Sequence, residues 1–104
     1  GNCLNRTFIV PNILVSMTDQ DIKNLFENSS RIVDVSFCNK WTEEDVIGLP
    51  SLREGTKLCL ISFVSYSAAR KTIETLKEPE AHEFYWMSVR GEIVSKVGPE
   101  IIKN

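Results

Sequence analysis

The chain has 104 residues, 42% hydrophobic and 25% charged, with a formal net charge of −2. That length suits one domain with its own core, so residues 1–104 read as a single domain, and no apolar run nears the roughly 20 residues that span a bilayer. The acidic balance argues against strong nonspecific nucleic-acid binding, which rests on phosphate neutralisation by Lys and Arg.

"RTFIVPNI" (6–13) opens the chain's regular structure with strand formers, Phe8 and Val10 on one face, Thr7 and Ile9 on the other. Pro11 has no N–H for a ladder and is expected to end the pairing. In "SMTDQDIKNLFENSS", Thr18 caps a helix with Asp21 three residues on, and Ile22, Leu25 and Phe26 form its apolar stripe. "RIVDVSF" (31–37) is a second strand with Val33, Val35 and Phe37 together on one face. The polar segment 38–55 is longer than an ordinary connection, which marks a functional or mobile loop. "TKLCLISF" (56–63) is a third strand, and "SYSAARKTIETLK" a helix that stops before Pro79. "EFYWMSV" and "EIVSKV" flank a tight turn at Arg90-Gly91. Tyr85 and Trp86 alternate, so one is expected in the core and one exposed.

The order is β-α-β-β-α-β with an extra short strand before the last. It predicts an α+β, ferredoxin-like split βαβ fold: a four-stranded antiparallel sheet with two helices on one face. Cys3, Cys38 and Cys59 are odd in number and never spaced C-x-x-C, as for reduced thiols of an intracellular protein. His82, in "EPEAHEF", is the only histidine. No ligand set has metal-binding spacing and no catalytic motif is present, so neither an enzyme, nor a metal, cofactor or small-molecule substrate is expected.

Strand order, helix lengths and the "RTFIVPNI" and "TKLCLISF" strands together resemble an RNA recognition motif domain over roughly residues 5–97. The family's first-strand hexamer reads apolar-aromatic-apolar-x-Asn-apolar. Phe8-Ile9-Val10-Pro11-Asn12-Ile13 fits at all positions but the second, where Ile9 replaces a stacking aromatic. Two registers compete for the third-strand octamer. One ends at Tyr66 and turns Ile61 and Phe63 outward; the other ends at Phe63 and turns Leu58 and Leu60 outward, with Cys59, Ile61 and Phe63 in the core. The family places a helix cap, a small residue and an aliphatic at +2, +6 and +10 from the octamer's end. Counted from Phe63 these are Ser65, Ala69 and Ile73, continued by Leu76 as one apolar stripe. Counted from Tyr66 they would be Ala68, Thr72 and Leu76, leaving a helix cut short by Pro79. The Phe63 register is therefore adopted.

The resemblance implies a module for single-stranded RNA or mRNA, nuclear or cytoplasmic, using the helix-free sheet face. The residues it points to are Thr7, Ile9, Asn12, Leu58, Leu60 and Ser62 on the strands, and Trp41 and Trp86 as stacking candidates. Lys40, Lys57, Arg90 and Lys96, with Arg53, are candidate phosphate contacts. All three stacking positions, Ile9, Leu58 and Leu60, are aliphatic, and each lost base–aromatic stack forfeits about 1–3 kcal/mol. RNA binding is thus expected to be weak alone and to rely on linked modules. A leading Gly without Met fits an excised piece of a longer multi-domain protein, and the basic, apolar start of a signal peptide is missing. The alternative is a protein-interaction module using the apolar sheet face or the acidic first helix. Ile9, Leu58 and Leu60 form either an exposed patch or one covered by the chain itself, through Val46, Ile47 and Leu49 or through Ile101 and Ile102.

Overall fold

Seven elements make up the computed structural model, which describes residues 6–39, 49, 52–87 and 93–97. They run β1 (Thr7–Leu14), α1 (Asp19–Lys23), β2 (Ile32–Cys38), β3 (Thr56–Phe63), α2 (Tyr66–Ile73), β4 (Tyr85–Met87) and β5 (Ile93–Lys96). All the strands join one antiparallel sheet in the order β2-β3-β1-β4-β5. The α+β class is as expected, and the order is compatible with a ferredoxin-like arrangement. The strand count is not: five strands pair where four were expected. Tyr85–Met87 takes the place beside β1, and Ile93–Lys96 pairs with β4 on the outside. Both segments are equally good strand formers. What separates them is tertiary: Phe84 and Trp86 bring two rings onto Phe8.

Local chemistry explains where both helices start. Thr18 Oγ1 accepts from the Asp21 N–H at 3.2 Å, and the Asp21 carboxylate accepts from the Thr18 N–H at 2.9 Å. This reciprocal box satisfies two donors that the first turn leaves without partners. Ser65 caps α2 in the same way, its hydroxyl accepting from the Ala68 N–H at 3.1 Å. From that cap, Ala69, Ile73 and Leu76 fall on the buried side, while Cys59, Ile61 and Phe63 of β3 meet them from the sheet. This is the register that ends the third-strand octamer at Phe63. Phe8 sits at the centre of the core, its ring centroid 5.5 Å from Phe63, 5.8 Å from Phe84 and 4.5 Å from Trp86. Such edge-on and tilted aromatic pairs add about 0.5–1.5 kcal/mol each beyond the area they bury.

Two β-bulges revise the strand readings. Pro11 does not end the pairing of β1. The register slips between Val10 and Ile13, and pairing then resumes at Ile13 with Lys57 and at Leu14 with Thr56. A bulge is where a strand tolerates a residue without an N–H, and here it also holds Asn12 at φ 60°. The Asn12 carboxamide oxygen accepts from the Arg53 N–H at 2.8 Å and from the Thr56 hydroxyl at 3.1 Å, tying the approach to β3 onto the bulge. The second bulge lies between Ile32 and Asp34 of β2. It leaves Val33 57% exposed, so Ile32, and not Val33, joins Val35 and Phe37 against the core.

Candidate functional site

The two helices cover one face of the sheet, and the other face carries alternate residues of every strand. Cross-strand partners point the same way, so the pairing defines that face directly. Ile9 stands opposite Leu60 and Tyr85, Leu58 opposite Cys38, Ser62 opposite Thr7 and Asp34, and Met87 opposite Thr7. The face divides into two halves. At one end, Ile9, Leu58 and Tyr85 are 1%, 3% and 8% exposed and pack with Leu49, while Cys38, Leu60 and Met87 line the cluster half-buried. The other end is polar: Thr7 and Ser62 share a hydrogen bond of 3.3 Å between their hydroxyls, beside exposed Asp34 and Ser36.

Five of the predicted residues come together here: Thr7, Ile9, Leu58, Leu60 and Ser62. The expected exposed apolar patch is much reduced, because Ile9 and Leu58 are buried and only Leu60 stays half-open. Leu49, one of the residues considered as a cover, packs on them. Four other candidates change role. Trp86 lies on the helix side, its ring between Phe8 and Tyr66, so it is core; Tyr85 and Trp86 are both buried, on opposite faces. Lys57 also faces the helix side. Its ammonium donates to the Met17 carbonyl at 2.6 Å and lies 3.6 Å from the centroid of the Phe37 ring. A lysine with its charge so engaged is a strut between β3 and the start of α1, removed from any phosphate on the opposite face. Asn12 spends its carboxamide oxygen on the bulge. Lys96 does reach the open face, opposite Tyr85, but is ion-paired with Glu83 at 3.0 Å. Lys40, Trp41, Arg90, Val46, Ile47, Ile101 and Ile102 lie outside the described residues.

Sequence reasoning missed Asp34, Ser36, Cys38, Tyr85 and Met87 on this face. Alternation showed that Tyr85 and Trp86 oppose each other without showing which one shares the Ile9 face. Asp34 follows from the spacing Asp34-Ser36-Cys38, once Cys38 is known to lie opposite Leu58.

Electrostatically, the β4–β5 margin is a closed network. The Tyr85 hydroxyl donates to the Glu83 carboxylate at 3.1 Å, and Lys96 bonds the same oxygen. The Lys96 ammonium, and then the Tyr85 hydroxyl, hold Glu83 below its usual carboxylate range, while burial and then Glu83 push the Tyr85 phenol up. The polar end differs. Exposed Arg6 precedes Thr7 and exposed Arg31 precedes Ile32, and the Phe63 N–H donates to the Arg6 carbonyl at 2.9 Å. Arg31, next to core-facing Ile32, therefore borders the Thr7–Ser62–Asp34 end, whereas Arg6, opposite Phe63, falls by alternation on the helix side; neither is ion-paired among the described residues.

Compared with models of known families, with curated proteins and with solved structures, the chain shows no significant match. Among the described residues no helix is long and apolar enough to cross a membrane, and no three His, Cys, Asp or Glu side chains converge to hold a metal ion.

Proposed function

We propose that this chain is a single-stranded RNA-binding module of the RNA recognition motif kind, weak alone and acting beside other modules of a longer protein. The observation that carries the reading is the register of β1 and β3. It gathers Thr7, Ile9, Leu58, Leu60 and Ser62, the positions to which the resemblance assigns RNA contacts, on the two central strands of a face without helices. Because Ile9, Leu58 and Tyr85 are covered, RNA engages the polar end, with Leu60 and Met87 shielding a base from water in place of aromatic rings. Arg31 supplies the phosphate contact that the paired Lys96 and the buried Lys57 do not. Missing stacking platforms, at about 1–3 kcal/mol per base, make tandem linkage the source of useful affinity.

Titration of the chain with a pool of short single-stranded RNAs, followed by amide NMR, tests the reading. Shifts are expected at Thr7, Leu60, Ser62 and Met87; their absence at millimolar RNA sinks it. The aliphatic cluster around Ile9, Leu58 and Leu49 favours a second reading, a protein partner taken at its rim. In that case Leu60→Asp abolishes capture of the partner while RNA gives no shifts.

A further inference from the structure

We infer that Asp34 sets a guanine preference at the polar end of this face, an inference that rests on the RNA-binding reading above. Asp34 is exposed on β2, directly opposite Ser62 of β3, which in turn stands opposite Thr7 of β1. Side chains so paired have Cβ atoms about 4.5–5.5 Å apart, so the three form a row across the sheet. The carboxylate end of the row offers two acceptor oxygens and no donor. The Thr7 and Ser62 hydroxyls bond each other at 3.3 Å, and with Thr7 as the donor Ser62, the one next to Asp34, keeps its proton for an outside acceptor. The row therefore reads acceptor, acceptor, donor.

Among the four RNA bases, guanine presents the complement on its Watson–Crick edge: the N2 amine and N1–H as adjacent donors, then the O6 acceptor. Uracil sets one donor between two acceptors, while cytosine and adenine offer one amine next to a ring acceptor, which a carboxylate repels. Two adjacent donors toward one carboxylate is the bidentate geometry in which charged hydrogen bonds are strongest. Single-stranded RNA is read on this edge because its bases are unpaired. Arg31, exposed at the same end beside Ile32, takes a flanking phosphate and offsets the repulsion between that phosphate and Asp34.

Three labelled octamers test the inference by fluorescence anisotropy: all-uridine, uridine with one central guanosine, and the same with inosine, which lacks the N2 amine. The guanosine octamer should bind roughly tenfold tighter than all-uridine, within the range set by a good bidentate base contact, with inosine losing most of the gain. Asp34→Asn, at an exposed position and checked for folding by its amide spectrum, should bring the guanosine octamer to the all-uridine affinity. Arg31→Ala should weaken all three octamers alike. Equal binding of guanosine and uridine octamers, or a preference that survives Asp34→Asn, overturns the guanine assignment while leaving RNA binding intact. No binding of any octamer at millimolar concentration overturns both.

Discussion

Replacing Asn12 separates a structural asparagine from an RNA-contacting one. Its carboxamide oxygen accepts two hydrogen bonds, from the Arg53 N–H and the Thr56 hydroxyl, and its backbone sits at φ 60°. Each bond contributes about 0.5–1.5 kcal/mol net. The left-handed conformation, which Asn tolerates, costs an alanine about 1 kcal/mol more. Asn12→Ala should therefore lose about 3 kcal/mol, a large share of the roughly 5–15 kcal/mol that holds a domain of this size. Asn12→Gly loses the same two bonds but none of the backbone strain; with the extra chain entropy of glycine, about 0.5 kcal/mol at the low end, it should lose about 2.5 kcal/mol. Asn12→Asp keeps the acceptor and should lose less than about 1 kcal/mol. Urea unfolding followed by circular dichroism gives the order directly, and Asn12→Ala should lower Tm by about 12 °C or more. If alanine proves no more harmful than glycine, the strain argument is wrong. If Asn12→Ala stays within about 0.5 kcal/mol of wild type, the bulge is not held by this side chain.

Acidification should destabilise the fold in two steps. Burial, only partly opposed by Glu78, holds His82 below its ordinary 6.5, and Lys96 and Tyr85 hold Glu83 below its ordinary 4.5. Both groups bind fewer protons folded than unfolded, so their stabilisation is present above those ordinary values and fades below them. Urea midpoints at pH 7.5, 5.5 and 3.5 should fall in turn, and His82→Asn should flatten the upper step; a wild-type midpoint unchanged from 7.5 to 5.5 refutes the His82 part. Burial pushes the Cys59 thiol up to about 12, so iodoacetamide at pH 8 should label half-buried Cys38 well before Cys59, as read by peptide mass mapping. Label appearing first on Cys59 would contradict its place in the core. Ser65→Ala removes the α2 cap and should cost about 1 kcal/mol, and Ala69→Leu should overpack the sheet by about 1–3 kcal/mol. Neutral results from both would undo the Phe63 register.

Much of the fold was legible because its signals are local. The Thr18 and Ser65 caps, the Ala69-Ile73 pair and the alternation of Cys59, Ile61 and Phe63 each depend on spacing within a few residues, and the structure contains them; Leu76, expected on the same helical stripe, lies past the end of α2 and reaches the core through a bridge to Phe26. "FVSY", which imitates a stacking strand, resolves by the same local logic into Phe63 in the core and Tyr66 at the start of α2. Of the candidate site, spacing correctly placed Thr7, Ile9, Leu58, Leu60 and Ser62 on one face. It could not show that Leu49 packs over Ile9 and Leu58, since that contact joins residues 40 positions apart or spans a long connection.

The amino-acid order by itself thus determined the element types, the inward and outward faces of β1 and β3, and the aliphatic character of the would-be stacking positions. Tertiary structure decided which segment of 83–97 lies beside β1, where Pro11 and Val33 are absorbed in bulges, and that Lys57 and Trp86 serve the helix side. The physical reason is common to these cases. A strand's period of two is written in neighbouring residues, but its partner, its bulges and the burial of its charged or aromatic side chains are set by non-local packing. That packing is governed here by the rings around Phe8 and the Met17 carbonyl that receives Lys57.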